Sequence, residues 1–262
     1  MQMTENEFYK STIDILDNLL EESIETELIA NQDNWKEQNI YKQFKQAKHI
    51  MFCLLSNTEE SKYQNKTDYY VTELILVGSL GRIIRDNYVN IAYLTSVKFS
   101  IEEMKLCWDY QIEFKKSTLF EFVNKVGYEE AFAKIEVRKS ELKAKLDLLT
   151  FSTKGQVCKG NDGKLLSLQE IADEKNFNRD KFYKEFELFS QFVHTTPFAN
   201  FLITPNGIDK GFLAAIYDKI IPYYVGIVAE TFELLAPNHR RMEELRNHYS
   251  KFLVGRWQIK NL

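Results

Sequence analysis

Apolar residues recur along most of the chain at the three- and four-residue spacing that is typical of an amphipathic α-helix. The first such segment follows Thr4, and its apolar positions are Phe8, Ile13, Leu16, Leu19, Leu20, Ile24 and Leu28. Thr4 and Glu7 have the spacing of a capping box, which predicts a helix start at this point. A second helix is predicted from about Asp33 to Ser56, with an apolar face formed by Ile40, Phe44, Ala47, Met51 and Leu54.

Similar patterns predict helices over about 67–96, 100–126, 128–149, 168–176, 179–194 and 208–235, followed by a basic amphipathic helix. The 67–96 helix is expected to be the most hydrophobic, and the charged middle of the 128–149 helix is expected to be exposed. Ser100 and Glu103 form a second capping box, and Pro222 is expected to kink the 208–235 helix. Residues 152–166 contain the turn signal Asn161-Asp162-Gly163, which predicts a loop or a short hairpin.

The composition agrees with an all-helical chain. Its 262 residues include only 10 glycines and 4 prolines. A β-sandwich or barrel needs many more turn residues. We therefore predict an all-α fold, an up-and-down bundle of about seven to nine helices that forms a single domain over residues 1–262.

The cysteines and the N-terminal segment bear on where the protein works. The 3 cysteines, Cys53, Cys107 and Cys158, are far apart and suggest no disulfide framework. The N-terminal segment is acidic and amphipathic, unlike a signal peptide. The apolar run 71–84 is interrupted by Glu73 and Arg82 and is too short to span a bilayer. These features predict a cytoplasmic, bacterial protein without a membrane partner.

Charge is distributed unevenly, although the net charge is only −4. Residues 1–33 are strongly acidic, and the basic residues near the other end are Arg240, Arg241, Arg246, Lys251, Arg256 and Lys260. This asymmetry has two interpretations: a basic contact surface, or two solvated faces that attract each other.

The predicted helix 67–96 carries a polar stripe. At about 100° per residue, one side within about 80° holds Asp68, Thr72, Ser79, Arg82, Asp86 and Asn90. Arg82 and Asp86 are one turn apart and can form an ion pair. Gly78 and Gly81 each cost a helix about 1 kcal/mol relative to Ala, which is tolerated where something approaches the backbone closely. The stripe is either the solvated side of an amphipathic helix or part of a polar cleft.

The predicted helix 179–194 has an aromatic face and a polar one. Its expected core face is Phe182, Phe186, Phe189 and Val193, and the neighbouring face is Tyr183, Glu187, Ser190 and His194. His194 stands at the end of this helix, where the helix dipole favours its protonated form. Histidine is suited to general acid or base chemistry near neutral pH, but a histidine at a helix end also serves structural roles.

Signature motifs of other enzyme classes are missing from the sequence. It contains no HExxH, glycine-rich phosphate loop or GxSxG, and its 4 histidines are scattered. We therefore expect neither a metal nor a cofactor.

The segment Arg82-Ile-Ile-Arg85-Asp86-Asn87-Tyr88-Val89-Asn90-Ile91-Ala92-Tyr93-Leu94 resembles part of an uncharacterised bacterial all-helical family, as does Phe189-Ser190-Gln191-Phe192-Val193-His194. The two stretches are short. The implied architecture is similar to the HEPN group of helical proteins, many of which are metal-independent ribonucleases in toxin–antitoxin and antiphage systems. Their site is usually an Arg, a polar residue and a His on one helix, duplicated by dimerisation. This chain departs from that pattern, since Asn90 and Ile91 stand where the His would follow Arg85.

The resemblance implies a defence or toxin protein that cleaves RNA without metal. In this hypothesis Arg82 stabilises the phosphorane charge, His194 moves protons and Asp86 orients either of them. The expected substrate-binding residues are Asn90, Tyr183, Ser190, Arg240 and Arg241. The alternatives are a non-catalytic helical module that binds a partner protein, with the cluster as a polar staple, or a small-ligand sensor. The expected partners are RNA, a second copy of the chain in a homodimer, or a partner protein.

Overall fold

The computed structural model describes residues 4–25, 34–56, 66–96, 100–122, 127–147, 179–193 and 209–235. Within these ranges the regular structure is entirely α-helical, which confirms the predicted fold class. The helices are α1 (Glu5–Glu25), α2 (Trp35–Ser56), α3 (Lys66–Leu94), α4 (Ile101–Phe122), α5 (Glu129–Asp147), α6 (Arg179–Val193) and α7 (Lys210–Leu235). The predicted hairpin or loop at 152–166, the helix at 168–176 and the basic C-terminal helix lie outside the described residues.

The chain divides into two compact units. The first contains residues 1–91 and 180–262, and therefore α1, α2, most of α3, nearly all of α6, and α7. The second contains residues 92–179, and therefore the last turn of α3 together with α4 and α5. The expectation that residues 1–262 form a single domain stays a prediction.

The helix starts follow from local capping chemistry. The amide of Thr4 donates to the Glu7 carboxylate at 2.8 Å, and the amide of Glu7 donates to the Thr4 hydroxyl at 3.3 Å. Ser100 and Glu103 repeat this reciprocal pair, so both predicted capping boxes are confirmed. Asn34 and Asp209 cap α2 and α7 through their side-chain oxygens, so these helices begin slightly later than the predicted starts at Asp33 and Ile208.

In the first unit α1, α2 and α7 pack against one another. The predicted apolar face of α2 is buried throughout, which confirms it. Two expectations were wrong. Ile24, expected in the apolar face of α1, is 48% exposed. The most hydrophobic helix is α7 rather than α3, because α7 carries long runs of buried aliphatic and aromatic residues.

By length and composition α7 is apolar enough to cross a membrane, and 61% of its most apolar window is buried inside the protein. The core helix of a globular protein passes the same test. Pro222 lies on the exposed side of α7, and the helix continues through it.

Glycines in α3 allow α6 and α7 to approach closely. A Cβ built on Gly78 would stand 2.2 Å from Cγ of Phe192, and one built on Gly81 would stand 2.9 Å from Cε1 of Phe189. This confirms the prediction that something approaches the α3 backbone at these positions. It also corrects the face of α6, because Phe192 is buried whereas Val193, an expected core residue, is 47% exposed.

The second unit contains the α4–α5 pair. Phe120 of α4 packs on Tyr128 and Phe132, with ring centres 5.7 and 6.4 Å apart. Within this unit the Tyr93 ring stacks on Trp108 at 6.3 Å. The charged middle of α5 is largely exposed, as predicted.

Candidate functional site

Arg82 is held in place by side chains from two helices. Its Nε donates to both carboxylate oxygens of Asp86, at 3.1 and 2.9 Å, which confirms the pairing that the spacing predicts. Its Nη1 donates to the hydroxyl of Ser190 in α6 at 2.5 Å, and that hydroxyl donates to the Phe186 carbonyl at 2.7 Å. The stripe on α3 is therefore partly covered by α6.

The ring of Phe186 supports two cations. The centre of the Arg82 guanidinium lies 3.9 Å from the ring centre, and that of Arg85 lies 4.9 Å from it. A planar guanidinium is attracted to the face of an aromatic ring, more strongly where water is excluded. Phe186 thus concentrates two positive charges between α3 and α6.

Arg85 is fully buried, with 0% of its side chain exposed. Its Nη1 lies 3.3 Å from a carboxylate oxygen of Asp86, which it therefore shares with Arg82. Burial lowers the pKa of the Arg85 guanidinium, whereas Tyr223 and Asp86 act to raise it. The buried charge is thus stabilised by acceptors from α3 and α7.

Tyr223 extends the network to α7. Its hydroxyl donates to a carboxylate oxygen of Glu185 at 2.5 Å and also bonds with Arg85. Nζ of Lys219 lies 3.9 Å from the other oxygen of Glu185. Burial and the neighbouring Glu185 raise the pKa of Tyr223, so this hydroxyl remains protonated near neutral pH.

The arrangement leaves Arg82 suited to meet an anion. Its side chain is 20% exposed, and that of Asp86 is 48% exposed. Nε and Nη1 are occupied, and no described residue accepts a hydrogen bond from Nη2. A guanidinium fixed on two sides loses little conformational freedom when a phosphate binds to its remaining edge.

The other predicted site residues are distributed differently. Asn90 donates to the Gln43 side chain in α2 at 3.2 Å, one turn beyond Asp86. Tyr183 belongs to α6, and its side chain is outside what the structure describes. His194, Arg240 and Arg241 also lie outside the described residues, so their predicted roles stay predictions.

The sequence did not identify four residues of this site, which are Phe186, Arg85, Glu185 and Tyr223. Phe186 contributes through its cation–π contacts with the two arginines. Phe186 was assigned to the core, because periodicity does not distinguish packing against apolar groups from packing against guanidinium groups. Arg85 carried a usable signal. It lies on the side of α3 shared with the apolar residues, where an arginine needs a specific partner.

A second polar cluster lies in the same unit. The buried carboxylate of Glu73 accepts hydrogen bonds from Tyr217 at 2.9 Å and from Tyr9. These residues come from α3, α7 and α1, and the two tyrosine rings meet edge to face at 6.3 Å. Because the cluster joins three helices, its evident role is to hold them together.

Among the described residues, His, Cys, Asp and Glu side chains form no group of three that could hold a metal ion. Comparison with known proteins found no matching family, no matching curated protein and no matching solved structure.

Proposed function

We propose that this chain is a HEPN-like helical protein of a bacterial defence or toxin module, which binds RNA at Arg82 and cleaves it without a metal ion. One observation carries the proposal. The Arg82 guanidinium is fixed by Asp86 and Ser190 while part of its side chain remains exposed. Preorganised positive charge of this kind stabilises the negative charge that develops during phosphodiester cleavage.

The chemistry is an internal displacement. A general base takes the proton of the ribose 2′-OH, the 2′-oxygen attacks phosphorus, the P–O5′ bond breaks, and the leaving 5′-oxygen takes up a proton. Arg82 stabilises the phosphorane, His194 moves the protons, and Asp86 orients Arg82. Ser190 contacts Arg82, and His194 is the fourth residue after Ser190 in the sequence.

The cations around Arg82 outnumber the carboxylates with which they pair. Arg82 and Arg85 share Asp86, and Lys219 lies beside Glu185. The excess positive charge favours an anionic substrate at Arg82. In this proposal Asn90, Tyr183, Ser190, Arg240 and Arg241 contact the RNA. A groove of positive charge would hold the backbone independently of base sequence.

The test is cleavage of a labelled RNA by purified protein in the presence of EDTA. We expect products that end in a 2′,3′-cyclic phosphate, and no cleavage of the same strand with 2′-O-methyl groups. Arg82→Ala and His194→Ala should reduce cleavage by at least about 100-fold while the protein stays folded. Arg138→Ala is the matched control, because Arg138 is an exposed arginine of α5 paired with Glu141. If the Arg82→Ala variant and the His194→Ala variant both still cleave the RNA, the proposal is contradicted.

A second candidate function is a non-catalytic module that binds a partner protein. It is favoured by the Arg82–Ser190 bond, which joins α3 to α6 and would act as a structural staple. Expression in bacterial cells separates the two functions. If expression arrests growth, and Arg82→Ala at an equal protein level does not, the nuclease is supported. If expression of the wild-type protein leaves growth unchanged, the interaction module is supported.

A further inference from the structure

The exposed side of α4, in the unit that does not contain Arg82, carries a straight apolar row. Ile101, Ile112 and Leu119 are 49, 41 and 59% exposed. At about 100° per residue they fall within about 20° of one another. With a rise of about 1.5 Å per residue, the row is about 27 Å long. The opposite side of α4, with Cys107, Tyr110 and Ser117, is buried.

Lysines flank this row. Within about 50° of the centre line of the row the charged positions of α4 are Lys105, Lys115 and Lys116, and the nearest acid, Asp109, falls at about 70°. All three lysines are exposed, and Lys116 also pairs with Glu113 at 2.8 Å. The nearest acids, Asp109 and Glu102, lie farther round the helix. The row and its lysines therefore form one amphipathic surface, which we call the α4 face.

We propose that, contrary to the expectation from the sequence that no membrane is a partner, the α4 face binds an anionic lipid surface, with the apolar row inserted at the acyl boundary and the lysines at the headgroups. An amphipathic helix with lysines beside aliphatic residues lies flat in a membrane interface in this way. The three apolar side chains are exposed along one line of a helix, and a line of exposed side chains can contact a flat partner along its whole length. Anionic headgroups complement a face whose charges are all positive.

Two other occupants fit less well. A second copy that paired symmetrically through this face would bring lysines against lysines, which disfavours the contact. Nucleic acid would match the lysines, but the aromatic ring on this side of α4, that of Trp108, is half-buried and stacked on Tyr93 at 6.3 Å, so its face is already occupied. These occupants remain outcomes of the test.

The test is co-sedimentation of the full chain with vesicles of phosphatidylcholine, with and without phosphatidylserine, at low and high salt. We expect binding only to the anionic vesicles, weakened by salt. Lys105→Gln combined with Lys115→Gln should weaken it about 25-fold, which is about fivefold for each lysine. Ile112→Ser combined with Leu119→Ser should also weaken it at least about tenfold.

The matched control is Lys134→Gln combined with Val137→Ser on α5, since both side chains are exposed there. It should change vesicle binding less than about twofold. The inference is overturned if the protein does not sediment with the vesicles, or if it binds neutral and anionic vesicles equally. It is also overturned if the control variant loses as much vesicle binding as the α4 variants, or if the α4 variants abolish a dimer or an RNA complex and leave vesicle binding unchanged.

Discussion

The ring of Phe192 in α6 lies directly on Gly78 in α3, with no room for a methyl group between them. Gly78→Ala would place the alanine Cβ 2.2 to 2.6 Å from three carbons of Phe192, and one of these three is the Phe192 Cβ. Because the Phe192 Cβ is bonded to the α6 backbone, it can move away only if α6 moves. The close approach therefore requires glycine at this position.

We expect Gly78→Ala to lower the free energy of unfolding by about 1–3 kcal/mol, because overpacking outweighs the gain in helix propensity. Gly211→Ala is the control, since its nearest contacts are side-chain atoms at 3.1 Å or more. Urea denaturation measures both variants. An unchanged or increased midpoint for Gly78→Ala would show that α6 does not pack on α3 in this way.

The Arg82–Ser190 bond predicts energetic coupling between α3 and α6. Ser190→Ala removes an acceptor from a charged donor and should cost about 1–2 kcal/mol. In a double-mutant cycle, Arg82→Ala and Ser190→Ala should couple by about 1–2 kcal/mol. The pair Arg82→Ala and Ser140→Ala serves as control, because Ser140 is exposed on α5, and it should be additive. Additivity in both cycles would contradict the bond.

Three buried tyrosines predict alkaline instability. Burial is the main cause that raises the pKa values of Tyr88, Tyr223 and Tyr224. A phenol whose pKa is raised in the folded state binds its proton more tightly there than in the unfolded chain. Its contribution to stability is complete below the unfolded pKa of about 10 and is lost as pH rises toward the folded pKa.

Thermal melts above pH about 10 should show stability falling as pH rises. Tyr88→Phe should make this decline shallower, because it removes a phenol whose pKa burial and the charge of Glu230 both raise. Tyr128→Phe is the control, since Tyr128 is 58% exposed. If stability falls with pH equally steeply in the wild type and in Tyr88→Phe, Tyr88 does not contribute to the alkaline instability.

The Glu73 cluster predicts a large effect from a single buried carboxylate. Glu73→Ala would leave the hydroxyls of Tyr9 and Tyr217 without this acceptor and create a cavity between three helices. We expect a loss of about 2–4 kcal/mol in the free energy of unfolding. The control is Glu141→Ala on the exposed side of α5, where the lost ion pair with Arg138 is weak. This change should lower the free energy of unfolding by less than about 0.5 kcal/mol. Equal costs for the two variants would contradict a structural role for Glu73.

Local chemistry made much of the fold predictable. The Thr4–Glu7 and Ser100–Glu103 boxes and the apolar face of α2 depend on spacing within one helix, and all were predicted correctly. The failure in α6 is at a position that depends on a neighbouring helix. Phe192 is buried and lies against Gly78 of α3, whereas the adjacent Val193 is 47% exposed.

The candidate site was predictable to the same extent. The pairing of Arg82 with Asp86 follows from one helical turn. The cation–π contact of Phe186 with Arg82 and the hydrogen bond of Tyr223 with Arg85 depend on how α6 and α7 approach α3. Periodicity within one helix does not encode that approach.

The most direct test of the central claim is whether Arg82 contacts RNA phosphate. The measurement is the affinity of wild type, Arg82→Ala and Arg138→Ala for an uncleavable 2′-O-methyl RNA over a range of salt concentrations. Loss of one phosphate contact from single-stranded RNA should weaken binding and reduce the log–log salt slope by about 0.7. We expect that change for Arg82→Ala and none for Arg138→Ala. Equal affinity and slope for wild type and Arg82→Ala would contradict the account.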